Sequence, residues 1–420
     1  MKNFFLNDLK YEKKIDIILL VLVIFLPLSL LCRSLIINTF TILLPLIFLI
    51  KIINEKKLFI LNNKIFWSLL IFWLILLLNS FFSISFYESF SRAFGFLRFI
   101  ILVFAIKFII SHKNFKFEKI IYSIWFLIFF IVSSDLLFEY IFGFNVLGFQ
   151  SNWPGRLSGF LDQELKIGNF YYGFILIALS FVYKNYRNKQ IFFILAIFFI
   201  FISFIIGERS NFIRSSFLLI LFFLIFIENN WWKKIFILLS SIILIFVIIN
   251  SNRYYKVRYW DQLIFPTKNS SNFSIALKET TYGAHYYTAI KIFKENLFFG
   301  VGLRNYRNES WKEKYNDETL KFNNSRWSTH PHQLHLEFLS ETGLIGYTSF
   351  LLLFFYYLLN SFKSYLKNKN IYQLSSILFI TVSLLPIIPS GSFFTTFGAT
   401  IFWINFSVMT TYNFVNKKNS

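Results

Sequence analysis

Apolar runs of about 17 to 25 residues recur along the whole chain, separated by short polar segments. Twelve can be delimited, at 15–32, 34–50, 65–82, 93–110, 120–142, 168–183, 190–206, 211–227, 235–250, 334–359, 371–388 and 393–414. As helices, runs of this length cross the roughly 30 Å of a bilayer's hydrocarbon core. A helix also satisfies its backbone hydrogen bonds internally, as lipid requires. The pattern predicts an all-α polytopic membrane protein with about twelve transmembrane helices in a single integral membrane domain. Residues 1–250 carry helices one to nine, 251–333 form one long polar loop, and 334–420 carry helices ten to twelve.

Lysine is concentrated in every second connection, at the N-terminus, 51–64, 107–119, 184–189, 229–234, 360–370 and the C-terminus. By the positive-inside rule both termini are cytoplasmic and the 251–333 loop is external. The same rule accounts for about half of the 42 basic residues, so the net charge of +21 does not call for a nucleic-acid partner; lipid is the expected surroundings. Arginine is distributed differently. Apart from Arg187, every arginine falls in the external half or within helices. That bias fits planar, bidentate binding of phosphate or carboxylate, or else snorkelling and salt bridging. The 61 phenylalanines read as compositional bias and lipid-facing bulk. The single Cys32 excludes an intramolecular disulfide, and no small-residue cleavage site follows the first run.

Ionisable groups at the mouth of a transmembrane helix are costly, which makes a function their default explanation. The densest cluster is His330-Pro331-His332-Gln333-Leu334-His335, followed by Glu337, Glu341, Gly343 and Gly346, where the long loop meets helix ten. Ser328 and Thr329 as cap formers, with Pro331 behind them, predict a helix start near His330. Such a start presents free N–H groups to an anion. Gln333, Glu337 and Glu341 share one stripe, and Gly343 and Gly346 are expected to admit a neighbouring helix. His332 is the candidate general base, His330 a further contact and His335 an interfacial residue. The alternative is a histidine cluster that only snorkels.

Gly207-Glu208-Arg209-Ser210-Asn211 makes a short external turn in which Arg209 either pairs with Glu208 or holds a phosphate. Arg214, five residues on, is turned about 140° away and is the weaker candidate. Arg156, Asp162 and Glu164 precede helix six; two carboxylates alone make a poor metal site, so positioning or loop stabilisation is expected. Residues 277–296 read as an amphipathic helix with Ala289, Ile290 and Phe293 on its apolar stripe. Gly300 and Gly302 permit a tight turn delivering Arg304 and Arg307, which with His285 are candidate phosphate or sugar contacts, or else pair with Glu309 or Glu313. No strand context makes these glycines a nucleotide motif. Arg98 in helix four is expected to pair with Asp135 or Glu139 of helix five, or with a ligand.

The segment from His330 to Gly346 resembles the His-Asn…Glu-x-Gly-x-x-Gly signature of the O-antigen ligase and polymerase superfamily. Gly207–Asn211 is similar to that family's Gly-Glu-Arg segment, and Arg156–Phe160 and Gly300–Arg307 resemble further segments in the same order, over about residues 90–350. The resemblance implies an enzyme of the bacterial cytoplasmic membrane working at its periplasmic face. Its donor would be a glycan on undecaprenyl pyrophosphate, and its acceptor a lipid A-core sugar or another glycan. Neither metal nor other cofactor is implied. The candidate set is then His332 and Arg209 for catalysis, with Arg156, Arg304, Arg307, His330, Glu341 and Arg98 for substrate binding. Gln333 stands where the family has Asn, and the cysteines flanking the loop in some relatives have no counterpart here.

Ligase, polymerase and transfer of glycan to protein all remain open within that superfamily. A different class, a transporter or flippase for an anionic lipid or solute, would also use external arginines. It predicts midplane broken helices and repeat symmetry, neither evident in the sequence, and gives His332 no role.

Overall fold

The computed structural model describes residues 13–56, 60–114, 116–186, 189–226, 277–386 and 388–413, with scattered positions between 232 and 259. The chain is an all-α polytopic membrane protein. Its helices are α1 (Lys14–Leu31), α2 (Ser34–Asn54), α3 (Lys64–Phe81), α4 (Phe86–Ile110), α5 (Lys116–Phe142), α6 (Ile167–Asn185), α7 (Lys189–Ile205), α8 (Arg209–Phe226), α9 (Thr281–Glu295), α10 (Leu334–Asn368), α11 (Ile371–Ser383) and α12 (Thr396–Thr411). Among the described residues, 8 of these are long and apolar enough to cross a membrane. The expected helix 235–250 lies largely outside the described residues; the positions described there are helical.

Side-chain caps set several helix starts. Asn63 accepts from Ile65 N at α3, Thr280 from Gly283 N at α9, and Asn370 from Gln373 N at α11. Each oxygen takes up an N–H that the helix itself leaves unpaired. The expected start of helix ten near His330 is not observed. The helix begins at Leu334, where the Gln333 side chain accepts from Leu336 N (2.7 Å), so the amide that departs from the family pattern is the cap.

The run 371–388 is helical only to Ser383. Pro386 and Pro389 follow, and a proline has no N–H to continue a helix. The chain turns back there and rejoins helix at Thr396. Residues of this turn line the candidate site.

The largest departure lies within α10. Gly343 sits at φ 62°, ψ −165°, and breaks the 35-residue helix in two. Val301 N and Gly302 N donate to Ser340 O and Glu341 O (2.9 and 2.8 Å), while Leu344 N and Ile345 N donate to Leu297 O and Phe298 O (2.8 and 3.2 Å). A Cβ on Gly343 would overlap the Phe298 and Gly300 backbone. Gly343 therefore admits a loop, not the helix expected from its spacing. The apolar pattern gives no sign of this break; the freed groups are paired with protein backbone, the condition under which a break is tolerated at membrane depth.

The described part of the loop has its own small core, Ala289, Ile292, Val301, Tyr306 and Tyr315. Ile292 replaces the expected Ile290, which is 37% exposed. The phenylalanines divide between surface and interior: Phe81 and Phe94 are exposed, whereas Phe72, Phe96, Phe338, Phe350 and Phe393 form a buried cluster that reaches Trp403 through Phe96 and Phe393. At one end of the bundle lysines meet carboxylates, as in Lys51–Asp16 (2.7 Å) and Lys184–Glu118 (3.1 Å). His285, His330, His332 and His335 gather at the other with most of the described arginines, while His112 stays at the lysine end beside Phe108.

Gly343→Ala forces a side chain into a positive-φ site already filled by backbone. Strain of this kind costs about 1–3 kcal/mol, so the thermal midpoint of the detergent-solubilised protein should fall. An unchanged midpoint would show that the break does not depend on glycine.

Candidate active site

Residues 330–332 precede the α10 cap and adopt no helix. His332 has φ 55°, a conformation uncommon outside glycine, and Ser390 N donates to its carbonyl (2.8 Å). This arrangement swings its ring between two others. Ring centroids of His330 and His332 are 4.1 Å apart, and α9 brings His285 to 4.8 Å from His332. Ser328 Oγ shares a hydrogen bond with His332 Nε2 (3.2 Å), and Thr329 Oγ1 one with His330 Nδ1 (2.9 Å). His330 Nε2 is buried without a partner. His335 stands apart, bonded to Tyr347 OH and the Leu384 carbonyl.

Burial disfavours the charged form of all three clustered rings. It brings His285 down to about 4, with the neighbouring His332 adding to the effect. His330 falls to about 3, through burial first and then the nearby His332, His285 and Arg307. His332 is lowered by burial. The cluster is neutral at neutral pH, the state a proton acceptor needs.

His330 also lines a cavity of about 170 Å³ with Lys166, Asn169, Tyr172, Arg214 and Ser390, closed by Phe379, Phe397 and Phe402. Arg214 is 6% exposed; one of its nitrogens donates to Ile388 O (3.3 Å) and its Nε has no partner. Its guanidinium lies 5.7 Å from the centre of the Tyr172 ring. Among the described residues no carboxylate pairs with it, whereas Lys166 pairs with Glu164 (2.8 Å). Arg214 lines the cavity, and Arg209 is not among its lining residues.

The other candidates mostly meet protein groups. Leu157 N donates to Ile206 O (3.0 Å), which joins the Arg156 segment to the Gly207–Arg209 turn. Glu208 is 3.8 Å from Arg156 and accepts from Gly168 N at the start of α6. Arg209 is half-buried at the first position of α8. Arg304 has φ 68° and lies 3.7 Å from Glu88, not against Glu309 or Glu313; Glu309 pairs with Lys312 and Lys314. Arg307 borders a separate cleft on the loop. Glu341 is 2% exposed and accepts from Arg304 N and Tyr306 N, so this candidate substrate contact is spent on the loop. Glu337 likewise accepts from Ser392 Oγ and Phe393 N. The expected pairing of Arg98 with helix five is not formed. Arg98 donates to Thr396 Oγ1, Asp135 accepts from Val146 N, and Glu139 accepts from Ser158 N and Gly159 N.

Residues 191–351 match the family model described as O-antigen ligase. Over this segment the chain is O-antigen ligase-like. The match encloses all three clustered histidines, Arg209, Arg214 and the broken turn of α10. It supports ligase- or polymerase-type, glycosyltransferase-like activity on lipid-linked glycans. No curated protein matches the chain. Lys166 and Ser390 come from outside the matched segment, and no motif pointed to them. A buried arginine five residues beyond the Gly-Glu-Arg turn was the available signal for Arg214.

The lowered histidines carry a stability consequence. In the unfolded chain they protonate near 6.5; in the fold His285 and His330 resist protonation until about 4 and 3. Their contribution is therefore complete above pH 6.5 and is lost as pH falls below it. The thermal midpoint should drop between pH 6.5 and 4, and drop less in His330→Gln. The same acid loss in both proteins would contradict the neutral buried cluster.

Proposed function

We propose that the chain is a glycosyltransferase that moves a surface glycan from undecaprenyl pyrophosphate to a sugar of the lipid A core at the periplasmic face of the cytoplasmic membrane. The observation that carries this reading is a buried arginine, without a carboxylate partner among the described residues, lining the same cavity as His330 of the neutral histidine cluster. Buried charges are paired or they are expensive, and a donor pyrophosphate is the anion that meets Arg214. Arg209, at the N-terminus of α8, adds a cation where helix N–H groups already favour anions. The apolar wall of Phe379, Phe397 and Phe402 suits the lipid end of the donor.

The chemistry needs little else. His332 accepts the proton of an acceptor hydroxyl, and that oxygen forms a bond to the anomeric carbon. The bond from that carbon to the pyrophosphate oxygen breaks, and the pyrophosphate leaves with the electron pair. Attack from the side opposite the leaving group inverts the anomeric centre. Arginine and helix N–H groups stabilise the charge that grows on the pyrophosphate. A positioned base contributes about 10²–10⁴-fold.

His332→Ala should lower transfer in a purified assay by about 10²–10⁴-fold with the protein still folded in the membrane; wild-type transfer would remove His332 from the role. Arg214→Lys keeps the charge but loses the bidentate fork. It should raise the donor KM more than the acceptor KM, and an unchanged donor KM would make Arg214 a purely structural contact. In the native host, loss of the gene should abolish all glycan-bearing lipopolysaccharide on gels. Retention of a core carrying one repeat unit would instead indicate a polymerase.

A further inference from the structure

A cleft of about 500 Å³ opens on the loop, lined by Arg307, Asn308, Trp311, Trp327, Ser328 and Thr329. It is distinct from the cavity that holds Arg214, yet the histidines link the two. His330 lines the cavity while its Nδ1 meets Thr329, and His332 meets Ser328, both on the cleft wall. Within the cleft, Trp311 and Trp327 stack with centroids 4.6 Å apart and planes 7° from parallel. They remain 57% and 42% exposed. Arg307 Nε beside them is buried and has no hydrogen-bond partner.

We propose that this cleft is the subsite for the acceptor sugar, with a pyranose ring laid against the Trp311–Trp327 pair. The proposal rests on the glycosyltransferase reading and deepens it. An indole face is negative and attracts the polarised C–H bonds of a sugar's apolar face. The rim of one arginine, one amide and two hydroxyls matches ring hydroxyls, which both donate and accept. A lipid tail would leave that rim unpaired. A sugar held here lies against Ser328, and one of its hydroxyls reaches His332 by taking the place of the Ser328 contact.

The test uses the full chain in detergent with lipid-linked glycan as donor and lipid A core as acceptor. Trp311→Ala should raise the acceptor KM about tenfold, the equivalent of one lost stacking contact. The donor KM should not change, and Trp311→Phe should recover most of the loss. Saturation-transfer NMR then probes binding without turnover, with delipidated core oligosaccharide added to His332→Ala protein. Its sugar C–H signals should be present, and should disappear when Trp311→Ala is added. An unchanged acceptor KM with unchanged saturation transfer overturns the proposal and leaves the indoles as membrane-interface anchors. If the purified protein transfers no glycan at all, the glycosyltransferase reading falls, while the NMR arm still decides the cleft.

Discussion

Between Ser340 and Ile345 the backbone of α10 exchanges four hydrogen bonds with residues 297–302. Lipid offers no partner for a backbone group released from a helix, so a break of this kind must be closed by protein. Closing it brings the loop down onto the bundle. Gly300 and Gly302 then fit against the Glu341–Gly343 backbone and Ser83. Glu341 fixes the following turn through Arg304 N and Tyr306 N, and Tyr306 OH donates to the His285 carbonyl (3.2 Å). The third histidine thus reaches the other two through a chain of contacts that begins at the broken turn.

Carboxylates and cations are used asymmetrically at this end of the molecule. Glu139, Glu337 and Glu341 accept backbone N–H groups and hold loops in place. Glu208 does the same for the start of α6. Their carboxyl oxygens are taken up by the fold, and no carboxylate lines the cavity that Arg214 faces. His330, a neutral imidazole in the same lining and in contact with the His332 ring, adds hydrogen-bonding capacity without adding positive charge. The cavity combines a buried guanidinium with an imidazole that burial keeps unprotonated.

Helices were legible wherever apolar runs were long, because membrane thickness imposes their length. Their ends were less so. Gln333 is a poorer cap former than Ser328 by type, yet it takes the cap, since the Ser328 and Thr329 hydroxyls are engaged with His332 and His330. The break at Gly343 was hidden because a glycine in an apolar stretch equally signals close helix packing; only the partner loop, 40 residues upstream, decides. His332 was visible from its motif. For Arg214, rotation from Arg209 gives a direction but not where the cavity lies. The cavity is assembled from residues 166–172, Arg214, 330–334 and 379–402, which no spacing rule connects.

The central claim is that one site couples release of undecaprenyl pyrophosphate to glycan transfer. The direct measurement places the purified chain in proteoliposomes with a lipid-linked glycan and rough lipopolysaccharide, and follows both products over time. The account predicts that free undecaprenyl pyrophosphate and glycan-bearing lipid A core appear in equal amounts. Release without transfer, or a longer lipid-linked glycan with the lipid A core unmodified, would contradict it.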